Sequence, residues 1–286
     1  MSRTLEELLQ AVHEQFVAAP LSFGHGTDNA WDEAVALVLG VTGLPDDQAS
    51  LQTEVTEAQH TTIDQLATKR VADRVPLAYL LGECIYMGQR FIIEPGVVVP
   101  RSPIGYLLDD GLDHWVDQPQ SILDLCCGSG CLGILAALAH PRAQVVVVDV
   151  DPLALDVAQR NVSRFGLEQR VQVMHADVRE PITVSNQWDL VLCNPPYVDA
   201  IGMSGLPPEF CAEPSRGLAA GADGLEVVDH LLNWVPQQLT NRGVFVCEVG
   251  ASASAFARKH PNLGVVWLDL PQGGEGVFLL PGSTAG

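Results

Sequence analysis

The chain has 286 residues, 47% of them hydrophobic, which is long and apolar enough for a sizeable buried core and argues against disorder. Acidic residues outnumber basic ones by 35 to 15, and the net charge of −20 repels nucleic-acid phosphates while favouring a basic partner. No apolar run reaches the ~20 residues of a membrane-spanning helix, and the opening MSRTLEELLQAVHEQF is no secretory leader, so a cytoplasmic protein is expected, with neither DNA nor a membrane as partner.

Leu5, Leu8, Leu9, Val12 and Phe16 recur at helical spacing and predict a first helix. In TDNAWDEAVALVLG, Thr27, Asp28 and Asn29 offer caps ahead of Ala34, Leu37 and Val38, and Gly40 offers a stop. TTIDQLATKRVADR predicts a further helix that ends before Pro76, and no strand pattern occurs up to about residue 80. The next segment, YMGQRFIIEPGVVVPR, has β-rich runs on both sides of Glu94-Pro95-Gly96, which predicts a hairpin turning there. The expected division is a helical domain over 1–84, a linking hairpin over 85–100 and an α/β domain over 101–286.

IGYLLDDGLDHWV reads as a helix, and from Ser121 strands alternate with helices. SILDLCC, QVVVVDV, VQVMHAD, WDLVLCN and GVFVCEVG are the strands; CLGILAALAH, DPLALDVAQRNVSRFG, a stretch near 224–240 and a short later run are the helices. Two final strands flank Gln272-Gly273-Gly274, so the expected fold class is α/β, a Rossmann-like doubly wound sheet with an antiparallel last strand. The Gly- and Pro-rich stretch from Pro196 to Gly224 has no clear element, as expected of a lid or binding loop. Seven cysteines, an odd number with no C-x-x-C pair, read as free thiols, with neither disulfides nor a metal site.

LDLCCGSGCLGI places Gly128, Gly130 and Gly133 between a strand and a helix, and Asp149 ends the next strand within reach of a ribose hydroxyl. A dinucleotide and S-adenosyl-L-methionine both suit such a turn. Asp124 favours the second, because a carboxylate there repels a pyrophosphate and welcomes a cationic methionine portion. Asp177, after the third strand, suits an adenine amino group.

The fourth strand ends in Asn194-Pro195-Pro196-Tyr197. Two prolines fix the backbone and leave carbonyls without N–H groups, Asn194 adds an acceptor and Tyr197 a flat ring. Together they suit a planar NH₂ whose hydrogens are both accepted. Holding those hydrogens localises the nitrogen lone pair, and positioning alone can supply ~7–11 kcal/mol, so methylation there needs no dedicated base.

Asp124 to Gly130, with Asn194-Pro195-Pro196-Tyr197, resembles the class I S-adenosylmethionine-dependent amino-methyltransferases. The order of helical domain, hairpin and core is similar to the HemK-type protein glutamine methyltransferases, as are RVPLAYLLG at 74–82 and the Glu213-Pro214 and Gly221-x-Asp223-Gly224 features. That resemblance implies catalytic residues Asn194, Pro195, Pro196 and Tyr197 and no metal. It implies a cofactor site of Asp124, Cys126, Gly128, Ser129, Gly130, Asp149, Val150, Asp177, Val178 and Asn194, and makes the helical domain a substrate-recognition domain.

Within the family, Pro100-Arg101-Ser102-Pro103 and FGHGTDNAWDEA from Phe23 resemble the branch acting on a large-subunit ribosomal protein, the third in standard numbering. The expected partner is therefore that basic protein, before or during ribosome assembly. Phe23 stands where that branch has Tyr, and Val178 where the release-factor branch often has an aromatic. Release factors, an adenine amino group in nucleic acid, and a nicotinamide cofactor are the alternatives. His25 reads as a substrate contact or part of a structured interdomain loop, and Arg101 as pairing an acidic cofactor-side group or fixing the hairpin. Glu248 reads as packed near the crevice rim and His175 as a core or edge histidine, neither of them catalytic.

Overall fold

The computed structural model describes residues 3–108, 112, 114–182, 187–270 and 275–282. Its first helix, α1 (Leu5–Val17), starts with a capping box: Glu7 N–H donates to Thr4 Oγ1, and Thr4 N–H donates to the Glu7 carboxylate. The five predicted apolar residues all lie on its buried face. A two-residue strand, β1 (Arg3–Thr4), pairs antiparallel with β2 (Glu54–Val55), contrary to the all-helical expectation. Two residues are too few for an alternating pattern to show in sequence.

Asn29 caps α2 (Ala30–Thr42), which runs through Gly40 and stops at Gly43 instead. Gly40 marks a close crossing: a Cβ there would lie 3.1 Å from a methyl of Leu81 in α4 (Leu77–Leu81). Gly43 supplies the left-handed φ of +69° that ends the helix. Between them, α3 (Glu57–Asp73) contributes Ile63 and Ala67 to a core shared with Leu8, Phe16 and Leu37.

The hairpin is real but lies earlier in the chain, with β3 (Glu83–Tyr86) pairing β4 (Gln89–Ile92). Met87 and Gly88 form its two-residue turn with φ of +49° and +69°, both left-handed as a type I′ turn requires. Glu94-Pro95-Gly96 does turn the chain, closed by Val97 N–H on the Glu94 carbonyl, but Val97–Pro100 pairs with no strand. Those residues serve as cavity wall instead. One helical turn, α5 (Ile104–Tyr106), follows; 109–111 and 113 of the expected helix lie outside the described residues.

The large sheet has β5 (Ser121–Leu125) next to β6 (Gln144–Asp149), then β7 (Val171–His175) at one edge. On the other side of β5 come β8 (Trp188–Cys193) and β9 (Leu239–Glu248), all parallel so far, then antiparallel β11 (Val277–Pro281) and β10 (Val266–Trp267). The chain winds outward from β5 to β7 and returns to β8, so the order reverses beside β5 and opens a crevice at the carboxyl ends.

Alternate residues of each strand face opposite layers. Ile122, Val147 and Leu190 pack with α6 (Cys131–Ala139) and α7 (Pro152–Arg164). Leu123, Val148 and Val191 pack with α10 (Glu226–Leu232) and α12 (Ala253–Lys259). The helix expected near 224–240 is two pieces, α10 and α11 (Val235–Gln238), because Pro236 has no N–H to donate back to Leu232. The loop-like stretch after Pro196 holds α8 (Ala200–Ser204) and α9 (Pro208–Cys211).

Candidate active site

The glycine turn after β5 is left-handed at Cys126, Gly128 and Gly130, with φ of +56°, +54° and +78°. Gly130 caps α6, and Gly133 lets that helix lie against the sheet, since a Cβ would fall 2.3 Å from Val147. Asp149 braces the turn from the next strand: its carboxylate accepts from Gly128 N–H at 2.9 Å and from Asp151 N–H at 2.9 Å. Burial pushes the Asp149 carboxyl up, against those backbone bonds.

A cavity of about 320 Å³ opens above this turn. Cys126, Gly128, Ser129, Asp149 and Val150 line it from the turn, and Asn194, Pro195, Pro196 and Tyr197 from the end of β8. Four expected cofactor residues are not on its wall. Gly130 sits behind the turn against Ala158. Asp124 is fully buried beneath it, one oxygen accepting from Gly133 N–H at 2.8 Å and the other without a partner. Burial, helped by the nearby Asp149 charge, raises its carboxyl to about 7. Asp177 is turned to Arg179, whose guanidinium binds both its oxygens and holds its carboxyl low. Val178 is buried in the core, its carbonyl taken by the Trp234 indole N–H.

At the elbow, Asn194 Oδ1 is buried without a hydrogen-bond partner. The Tyr197 carbonyl accepts from Ser252 Oγ at 2.9 Å, and its ring lies over Gly250, where a Cβ would come within 2.5 Å. The Tyr197 hydroxyl bonds Glu248, which also accepts from Ser102 Oγ at 2.6 Å. Burial raises both the Tyr197 hydroxyl and the Glu248 carboxyl. Glu248 is buried beside the Tyr197 hydroxyl rather than placed at the rim. His175 bonds the Val150 carbonyl at the sheet edge, as expected of an edge histidine.

The other wall comes from two segments, Val97–Ser102 and the loop with Leu206, Phe210 and Pro214, which include the Pro100-Arg101-Ser102 and Glu213-Pro214 motifs. Arg101 joins them by a bidentate pair to Glu213, both contacts 2.7 Å, and its guanidinium lies 5.4 Å from the Phe210 ring. His25 reaches the same Glu213 at 3.4 Å and packs on Phe210 at 4.3 Å. Burial works to push the Glu213 carboxyl up, but bonds from His25 and Arg101 prevail and hold it at about 2. One turn earlier, Glu209 accepts from Arg70, Arg74 and the Ser22 N–H, while Arg70 also binds Glu33. Arg101 therefore pairs an acidic group, and His25 belongs to the joint between the helical unit and the cavity wall.

The family model described as "Methyltransferase small domain" matches residues 107–233. A ribosomal protein uL3 glutamine methyltransferase of Bordetella pertussis is 43% identical over 97% of this chain and 95% of its own length. The chain belongs to the ribosomal protein uL3 glutamine methyltransferase family. A second member, from Burkholderia pseudomallei, is 40% identical over 98% of the chain and 95% of its own. Among solved structures, the hMettl16 catalytic domain in complex with a MAT2A 3′UTR hairpin superposes with a TM-score of 0.53 at 15% identity, covering 81% of this chain and 83% of that one. That likeness shows a shared class I methyltransferase fold and nothing of substrate. The seven described cysteines are free, and no cluster of metal-ligating residues occurs among the described residues. No described helix is long and apolar enough to cross a membrane.

Proposed function

We propose that this chain transfers a methyl group from S-adenosyl-L-methionine to the side-chain amide nitrogen of a glutamine in ribosomal protein uL3. The observation that carries this reading is the unpartnered, buried Oδ1 of Asn194 on the cavity wall, beside two residues without N–H groups. A buried acceptor left empty costs about 1–3 kcal/mol. A ligand that brings N–H groups removes that cost.

The cavity suits the methyl donor. Ser129 Oγ is a second buried atom without a partner, each Asp149 oxygen has a lone pair left for a ribose hydroxyl, and Val150, Leu132 and Ala154 give apolar surface. Gly128, Ser129, Asp149 and Val150 would hold the donor, with Asp124 and Gly130 shaping the turn beneath. When bound, S-adenosyl-L-methionine supplies an electrophilic methyl group on a sulfonium. Asn194 Oδ1 accepts one amide N–H and the Pro195 carbonyl the other, while the Tyr197 ring covers the amide plane. With its hydrogens held, the nitrogen would direct its lone pair across the plane at the methyl carbon; the N–C bond would form as the C–S bond breaks, its electron pair staying on sulfur as S-adenosyl-L-homocysteine leaves, and the proton lost from the nitrogen would pass to solvent. Glu248 and Ser102 keep the ring in place throughout.

The wider reading follows from charge: a surface of −20 suits a basic ribosomal protein, met before or during assembly in the cytoplasm. Residues 1–84 act as its recognition domain. The test is Asn194→Ala with purified uL3, followed by mass of the methylated glutamine and by calorimetry of donor binding. Turnover should fall by roughly a hundredfold or more, as for loss of one oriented polar group at a reacting centre, with donor affinity within severalfold. Near-normal turnover refutes the amide clamp, and a preference for release factors over uL3 refutes the substrate.

A further inference from the structure

A second cavity, about 510 Å³, lies between α2 and α4 of the helical unit and β3 of the hairpin. Val35, Leu39, Leu81 and Ile85 give it an apolar lining, and the exposed carboxylates of Asp32 and Asp46 stand at its rim. Ile85 is 55% exposed, unusual for an isoleucine inside a strand.

The hairpin turn explains what else β3 offers. A two-residue type I′ turn makes Tyr86 and Gln89 a hydrogen-bonded pair, and such pairs alternate along an antiparallel ladder. Ile85 and Glu83 therefore direct their backbone N–H and C=O groups away from β4, toward the groove. Neither residue's backbone has a hydrogen-bond partner on that side among the described residues. An unpaired strand edge next to an apolar trough is the geometry in which an extended peptide adds as a further strand.

We propose that this groove takes an extended, lysine- or arginine-bearing segment of the protein substrate as a third strand on β3. The proposal rests on the reading that the substrate is a basic ribosomal protein. Charge selects that occupant: over residues 1–82 acidic side chains outnumber basic ones by twelve to four, two of those twelve, Asp32 and Asp46, stand at the rim where a basic side chain would lie, and the one basic residue of the lining, Arg90, is paired with Glu83. The same charge opposes a second copy of this chain. Position supports it as well. His25 lines the groove and Phe210 lines the methyl-transfer cavity, and their rings are in contact at 4.3 Å. The contact thus joins a residue of the groove to a residue of the cavity whose wall carries Asn194, which is where a segment held in the groove has to deliver its glutamine.

The experiment combines amide hydrogen exchange with steady-state kinetics on the full chain and uL3. In the wild-type enzyme the amides of residues 83–86 should exchange more slowly once uL3 is added. Ile85→Lys with Asp46→Lys should raise KM for uL3 about tenfold or more with kcat unchanged, as for loss of an apolar contact and reversal of charge against a basic segment. Ile85→Pro deletes the outward N–H, together with the isoleucine side chain, and should raise KM in the same direction, whereas Ile85→Val should not. Thermal unfolding of each variant identifies any that fail to fold, and the exchange measurement on the wild type then stands without them. Unchanged protection and unchanged KM, with uL3 still methylated, overturn the docking site alone. Failure of the wild type to methylate uL3 overturns the parent reading and the proposal with it. Protection that grows with enzyme concentration in the absence of uL3 marks a second copy of the chain on the edge, and overturns the proposal.

Discussion

Replacing Arg101 with alanine strands a carboxylate. The Glu213 side chain is fully buried, and Arg101 supplies both of its 2.7 Å contacts; the Val99 N–H and His25 remain. The hold of its partners lowers the Glu213 carboxyl from 4.5 to about 2, which at about 1.4 kcal/mol per pH unit corresponds to about 3 kcal/mol of stability at neutral pH. Breaking a buried pair from one side costs about 3–5 kcal/mol by general experience, and the two figures agree. Because the folded value is depressed, this stability is present above about pH 4.5 and drains away as pH falls toward about 2. Urea unfolding followed by tryptophan fluorescence should show a loss of about 3 kcal/mol or more for Arg101→Ala at pH 7, shrinking as the pH is lowered through 4. Arg101→Ala with Glu213→Gln should recover part of the loss, since no charge is left unpaired. A single variant within about 1 kcal/mol of wild type, or a double variant less stable than the single, refutes the account.

Gly250→Ala adds a Cβ 2.5 Å from the Tyr197 ring at a residue with φ of +43°, so kcat should fall more than about tenfold in a methyl-transfer assay while donor binding is kept. Ile63→Ala empties a fully buried position in the helical core and should cost about 2–5 kcal/mol in urea unfolding. A loss below about 1 kcal/mol there means that α3 is not packed as described.

The parts of the fold carried by local chemistry were legible. The apolar stripe of α1, the Asp151 cap of α7 and the unbroken strand of valines in β6 each satisfy their own short-range rule. The hairpin was displaced because Pro95-Gly96 is the louder turn signal, whereas the true turn has a methionine in a left-handed conformation that nothing in its side chain announces. At the site, the Asn194 elbow and the turn at Gly128 were readable because each is contiguous. Asp177 is off the cavity wall and paired with Arg179, two residues on, a contact that its position after a strand does not announce. The Glu213, Arg101 and His25 cluster was missed altogether as a unit. Its members lie more than a hundred residues apart between Arg101 and Glu213, and only the fold brings them together.

That cluster bears on how such proteins can be recombined. The hairpin is the natural cut site for a chimera that lends this catalytic core a foreign recognition module. Such a cut would carry Glu209 away from Arg70 and Arg74 and Glu213 away from His25, leaving acids of the catalytic core facing a surface not built to receive them. The helical unit and the cavity wall are written on different stretches of sequence but share their wiring, so a successful graft has to transplant Ser22, His25, Arg70 and Arg74 together with the rest of the module.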